Sequence, residues 1–380
     1  MRIIGIDAIN IRGGGGITHI KELIKHLPID NKLAIDKIII WATKKTLEQI
    51  QDKPNLIKIH EPIFEKSFLH RTYFQIFKLS KIAKMNDCGV LFIPGGSFFG
   101  SFRPIVSMSQ NLLPFEFKEL KRYNFTQALK LLLLRFTQTK TFLKSDGIIF
   151  LTNYAKKSIL TIVGPLNAKI NIIPHGISER FYSEPRLQRS STDVTDKNPF
   201  RILYVSIIDL YKHQWHVIEA IYILRKKGYH IVLDLIGPSY PVALNNLEKA
   251  IKKYDTEDNF VNYLGSIDYE LISDFYFNAD IGIFASSCEN MPIILLEKMA
   301  SGLPIACSNR GPMPEVLLDG GLYFDPENPK DIAMVIEKLY ISSELRKKLA
   351  NKSFKTSKSF SWDTTSFETF KFLSTFIKKN

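Results

Sequence analysis

Short apolar runs recur along the chain with helical patterns between them, and this alternation limits the fold more than any other feature. The runs are Arg2–Ala8, Lys37–Trp41, Val90–Ile93, Ile105–Met108, Gly147–Leu151 and Ile170–Ile173. The series starts again at Ile202–Val205 and continues through Ile231–Ile236, Val261–Leu264, Ile281–Ala285 and Ile305–Ser308. Brief, nearly continuous apolar runs suit strands buried on both faces, and helices alternating with them cover a parallel sheet. Two such series in 380 residues predict an α/β chain of two Rossmann-like domains facing a cleft. The expected boundaries are residues 1–180, a polar linker or loop at 181–200, a second domain at 201–357 and a terminal helix at 358–380. That last segment has Phe367, Phe370, Leu373, Phe376 and Ile377 at helical spacing after Trp362, and reads either as a helix that packs back on the first domain or as a simple capping helix.

Charge separates the two halves. Residues 1–180 hold roughly 27 Lys+Arg against 13 Asp+Glu, and the remainder is balanced, so the formal net charge of +13 belongs to the first half. A basic surface attracts phosphate-rich partners. Two first-half segments are both basic and amphipathic. Lys66–Lys84 sets Phe68, Leu69, Tyr73, Phe74, Ile76 and Phe77 among Arg71, Lys78, Lys81 and Lys84. Phe115–Lys144 sets Leu129 and Leu131–Leu134 among Lys118, Lys121, Arg122, Lys130, Arg135, Lys140 and Lys144. Either suits an anionic membrane surface, or an ordinary helix with a solvated lysine face. No nucleic-acid module accompanies the charge. Cys88, Cys288 and Cys307 lack metal-ligand spacing and even pairing, which points to a reducing compartment. The N-terminal run reads as a strand meeting glycines rather than as a leader. A cytoplasmic protein, peripheral on the inner face of a membrane, is the expectation.

Two stretches carry candidate chemistry. Gly13-Gly14-Gly15-Gly16 follows the first strand and precedes a helix marked by Ile20, Leu23, Ile24 and Leu27. The spacing is not that of a dinucleotide fingerprint, but glycines let the backbone approach a phosphate or a sugar closely. The second stretch, Ser286–Pro304, reads as strand, polar loop, helix and strand. Pro292 suits the first turn of its helix and Gly302 its end. The helix N-terminus is suited to an anion. Glu289 lies in the loop, and Glu297, expected two turns along the helix, can accept from a pair of vicinal hydroxyls. An anion site beside a diol reader suits a nucleotide-linked sugar.

The order Glu289-Asn290-Met291-Pro292, Leu296-Glu297-Lys298-Met299-Ala300-Ser301-Gly302-Leu303-Pro304 and Pro314-Glu315-Val316 resembles the retaining glycosyltransferases of the GT-B fold, the group one or family-four class. The likeness covers nearly the whole chain. Gly13–Gly16 resembles the family's N-terminal glycine loop, and Pro174-His175-Gly176-Ile177 its crossing between domains. Leu203-Tyr204-Val205 with Tyr211-Lys212-His213 is similar to the opening of its donor domain. Gly237-Pro238 and Leu264-Gly265 stand at its loop glycines.

The resemblance implies roles. Glu297 would bond the ribose hydroxyls and Glu289 the transferred sugar. The backbone of Asn290 and Met291, with Gly14, Gly15 and Gly16, would hold sugar and diphosphate. Lys212 would neutralise the departing diphosphate. The chain departs from the pattern at Asn290, where the family often has glycine, and at Ser206 and Ile207, where it often has an arginine. Arg310 is the candidate substitute for that arginine. Gln110 stands at the position of a family histidine near the acceptor; it can bond a sugar hydroxyl but cannot act as a base. No D-x-D motif occurs, so the expected enzyme needs no metal and no cofactor beyond its donor substrate. It would transfer a sugar with retention to a glycan or lipid-linked acceptor in surface polysaccharide assembly, such as lipopolysaccharide or capsule. The competing readings are a nucleotide-sugar epimerase or hydrolase, or a non-catalytic scaffold.

Overall fold

A computed structural model describes residues 1–27, 33–257 and 259–378. The chain forms two compact units. One comprises residues 1–120 and 124–176 together with the segment that begins at Ser361; the other comprises Lys121–Tyr123 and Ile177–Phe360. The polar stretch expected as a linker therefore folds inside the second unit, where Arg189 donates to Asp280 at 2.8 and 2.6 Å.

The first unit holds seven strands: β1 (Ile3–Asp7), β2 (Lys37–Trp41), β3 (Leu56–Ile59), β4 (Cys88–Ile93), β5 (Ile105–Met108), β6 (Gly147–Phe150) and β7 (Lys169–Ile172). Their order is β3-β2-β1-β4-β5-β6-β7, and every pair is parallel. The second unit holds β8 (Phe200–Val205), β9 (Ile231–Ile236), β10 (Val261–Tyr263), β11 (Ile281–Phe284), β12 (Ile305–Ser308) and β13 (Gly321–Phe324). Its order is β10-β9-β8-β11-β12-β13, again parallel throughout. Strand direction reverses its march at β1/β4 in one sheet and at β8/β11 in the other. In open parallel sheets these switch points, at the carboxyl ends of the strands, are where ligands sit.

The central strands are buried on both faces because each βαβ crossover lays a helix on the sheet. Ile4 and Ile6 of β1, Ile202 of β8 and Ile281 and Ile283 of β11 are fully enclosed. Side chains define several helix starts. Asn124 accepts from the Gln127 amide at 2.9 Å to open the helix Phe125–Lys144, and Thr152 accepts from the Ala155 amide at 3.0 Å to open Asn153–Val163.

The terminal helix, Trp362–Ser374, packs on the first unit. Ser366 donates to the carbonyl of Leu23 on the helix Gly14–Lys25 at 2.8 Å, and Asp363 meets His26, the C-cap of that helix, at 2.8 Å. Trp362 packs at a tilt against a buried histidine pair, His19 and His175, whose Nδ1 atoms are 3.1 Å apart.

Candidate functional site

In the second unit two loops leave the switch point side by side. One follows β8 and carries Lys212; the other follows β11 and carries Glu289. They are laced together. The Tyr204 hydroxyl, on β8, donates to the Lys212 carbonyl at 2.7 Å and accepts from the Ala285 amide at 3.2 Å. Burial holds its pKa well above the ordinary phenol value, so it remains a donor. The Ser287 amide donates to the Tyr211 carbonyl at 2.8 Å. His213 Nε2 meets Ser287 Oγ at 2.9 Å. The ammonium of Lys212 then forms an ion pair with the Glu289 carboxylate. Lys212 is almost fully enclosed, so this charge pair works in a medium of lower dielectric than water.

His213 was not legible in sequence. It has φ +55°, a left-handed conformation that a non-glycine side chain adopts at a cost. Its position joins Lys212 to the helix Gln214–Lys226 and its ring joins that loop to Ser287. Burial and the nearby cations Arg122 and Arg310 lower its pKa to about 2, so it is neutral. A neutral ring can hold the loops together without adding charge beside Lys212.

The helix of the second loop runs Ile293–Ala300, with Pro292 at its N-cap rather than in its first turn. Glu297 is therefore little more than one turn along, not two. Its carboxylate accepts from Tyr269 at 2.7 Å and from Tyr276 at 3.2 Å, and burial raises its pKa to about 7. The neighbouring Lys298 points the other way, into the sheet. Its ammonium lies 3.4 Å from the Val205 carbonyl, and burial lowers its pKa to about 7. Gly282 leaves it room, since a Cβ there would stand 3.0 Å from the Lys298 stem.

Glu297 forms one wall of a cavity of about 250 Å³. The ends of three strands supply the rest: Ser206 and Ile207 after β8, Gly237 and Pro238 after β9, Ser266 after β10, with Tyr269 and Ile294 alongside. Gly237 has φ +143°, and a Cβ there would come within 2.2 Å of the Ser206 carbonyl oxygen. Only glycine fits at this approach of two loops. A larger cavity, of about 900 Å³, lies at the amino ends of the first unit's strands, beside Cys88, Pro104 and Asp146, away from the switch point.

The other expected residues divide. Asn290 and Met291 are buried in the second loop. Arg310 follows β12, and its guanidinium lies 3.0 Å from both Asp325 oxygens, so a diphosphate would have to share it with that carboxylate. Gly14, Gly15, Gly16 and Gln110 belong to the first unit. There a Cβ on Gly13 or Gly14 would meet nothing within 4 Å, whereas one on Gly16 would stand 3.2 Å from Gln110 Oε1. Three of the four glycines expected as a loop thus form the first turn of the helix Gly14–Lys25, and Gly16 neighbours Gln110. Asp7, which ends β1, is fully enclosed, accepts from the Ile9 amide at 3.2 Å and from Gln75 at 2.5 Å, and has its pKa raised to about 7 by burial.

Residues 188–356 match the model of the family "Glycosyl transferases group 1". Among curated relatives, a D-inositol 3-phosphate glycosyltransferase of Paenarthrobacter aurescens is 27% identical over 203 residues, 52% of this chain and 49% of that protein. The chain spans about half the length of this relative. Among solved structures, HepE from Anabaena in complex with UDP-glucose superposes with a TM-score of 0.69 at 15% identity, covering 99% of this chain and 100% of that one. WaaG, a glycosyltransferase involved in lipopolysaccharide biosynthesis, gives 0.69 at 14% identity, covering 98% and 99%. The shared fold is two parallel-sheet α/β units.

Proposed function

Residues 188–356 match the group 1 glycosyltransferases, and the two units share the fold of solved glycosyltransferases; from these findings we propose that the chain is a group 1 glycosyltransferase that transfers a sugar from a nucleotide-diphosphate sugar to a glycan or lipid-linked acceptor. The observation that carries this reading is the Lys212–Glu289 ion pair across the β8/β11 switch point, beside the cavity that Glu297 walls. The cavity's apolar sides suit a nucleoside, and the Glu297 carboxylate accepts from the ribose hydroxyls. Tyr269 and Tyr276 use one lone pair of each oxygen, and the others remain for the diol. The backbone of Asn290 and Met291 holds the diphosphate and sugar. Lys212 moves from Glu289 toward the diphosphate as charge grows there, and Arg310 shares that task. Glu289, released, accepts from hydroxyls of the sugar.

In the reaction the bond from the anomeric carbon to the phosphate oxygen breaks and the bond to the acceptor oxygen forms. The acceptor's proton goes to the departing phosphate, so no protein base is required and configuration is retained. Gln110 orients an acceptor hydroxyl. Neither metal nor cofactor takes part. The likeness to WaaG, which is involved in lipopolysaccharide biosynthesis, supports a place in surface polysaccharide synthesis. Work at the inner face of an anionic membrane belongs to the same proposal.

A transfer assay with radiolabelled nucleotide sugars tests it. Labelled acceptor product that disappears in Lys212→Ala is expected. Nucleotide release without acceptor product would favour a hydrolase, and an altered free nucleotide sugar an epimerase.

A further inference from the structure

The helix Phe125–Lys144 is apolar on two opposite faces. Leu131 and Phe142 turn inward and are buried. Phe125, Leu129, Leu132, Leu133, Phe136 and Leu143 turn outward; Phe125 is 81% exposed and four of the others are more than half exposed. At 3.6 residues per turn these six fall on one stripe about 100° wide and about 27 Å long. Lys130, Lys140 and Lys144 are exposed on the same helix, Arg135 lies at 4.3 Å over Phe117, and the helix contains no acidic residue. A solvated lysine face would show polar residues here. Instead the apolar side chains reach water.

A second patch lies next to it. In Phe68–Phe74 and the π-helical turn Gln75–Leu79, Leu69 is 75% exposed and Phe77 64% exposed, among the exposed Lys66, Lys78, Lys81 and Lys84. The two patches are linked through one loop. Phe68 packs edge-on against Phe99 at 6.1 Å, and the Phe98 amide donates to Thr141 of the long helix at 2.9 Å.

We propose that this face of the first unit docks the protein on an anionic lipid bilayer, with Phe125, Leu129, Leu133, Phe136 and Leu143 entering the interface and the flanking lysines meeting lipid phosphates. It deepens the reading above and rests on it for the acceptor. A straight stripe with cations beside it matches a plane of apolar interior and anionic headgroups. A second copy of the chain fits less well, because a symmetric contact would set unneutralised lysines against lysines.

Cosedimentation of the full chain with vesicles tests the assignment, using phosphatidylcholine with 30% phosphatidylglycerol against phosphatidylcholine alone. Binding to the anionic vesicles at low salt is expected, falling at least tenfold with pure phosphatidylcholine or in 0.5 M salt. Leu133→Glu with Phe136→Glu is expected to abolish it, and Lys130→Glu with Lys140→Glu to weaken it, both with an unchanged melting temperature. Absence of parent binding, equal binding to both vesicles, or a double variant that binds like the parent would overturn the proposal, as would a parent dimer that the first double variant dissociates. Nucleotide-sugar binding in lipid-free solution separates the two readings. Intact donor binding without vesicle binding sinks the docking face alone, and the reverse sinks the transferase.

Discussion

The two units use the same architecture differently. In the second, the loops at the switch point are tied by a chain of short-range contacts, Tyr204 to Lys212, His213 to Ser287 and Lys212 to Glu289. In the first, Gly13 and Gly14 at the start of the helix after β1 leave open space where side chains would stand, and large apolar side chains stand in water on its helices. The arrangement in the second unit suits a small, highly charged ligand held in fixed geometry, as the proposed function requires. The other leaves backbone and surface free for something larger. A donor needs the first kind of site and a glycan or lipid-linked acceptor the second.

Substitutions sharpen this contrast. Lys212→Ala should have the largest effect, since on the proposed mechanism it removes the cation that meets the leaving diphosphate. Transfer is expected to fall by about 10²–10³-fold in kcat, read by product formation at saturating donor. Glu297→Ala should weaken nucleotide binding by roughly 10- to 100-fold, the worth of about 1.5–3 kcal/mol for hydrogen bonds to a charged group. Isothermal calorimetry reads it. If Lys212 and Glu297 were merely structural, melting temperature would fall with little change in donor affinity of the folded fraction.

Gly237→Ala tests the cavity wall. A side chain at φ +143° and 2.2 Å from a carbonyl oxygen must move the backbone. A loss of about 1–3 kcal/mol is expected, seen as a drop of several degrees in the thermal midpoint.

A pH series addresses Glu297 itself. Burial raises its pKa from 4.5 to about 7, so the folded protein keeps that proton well above the pH at which the unfolded chain loses it. The sign follows: ionising it costs folding stability as pH rises from about 4.5 to 7, and supplies the charged acceptor above that range. Nucleotide affinity should therefore strengthen between pH 6 and 8, by up to about tenfold, and Glu297→Gln should flatten the slope. Gln110→Ala should have the smallest effect, a few-fold loss of transfer at unchanged donor affinity. An equal loss of donor affinity would break the division of labour between the units.

Much of the fold was legible in the sequence because parallel strands buried on both faces need nearly continuous apolar runs. Lys37–Trp41, Ile105–Met108, Ile231–Ile236 and Ile305–Ser308 coincide with β2, β5, β9 and β12. Leu56–Ile59 and Gly321–Phe324 escaped because they are edge strands, and the former is only half-buried, so their patterns are weak. Glu289 and Glu297 could be singled out as candidates because they share one local segment. The partners of Glu297, Tyr269 and Tyr276, lie 28 and 21 residues away in sequence and have no motif of their own. His213 was hidden because its role depends on a left-handed backbone, which no residue type announces except glycine. Lys298 would have been read as a solvated helix lysine, and only the packing of Gly282 against its stem reveals it as buried.

The central claim is that the second unit holds a nucleotide sugar across the β8/β11 switch point. Its most direct test is calorimetric titration of UDP-, GDP-, ADP- and dTDP-sugars into the full chain and into Glu297→Ala. The expected result is saturable binding of at least one donor to the parent, weakened tenfold or more in the variant while both proteins keep the same fold by circular dichroism. Binding of no donor, or equal affinity in parent and variant, would contradict it.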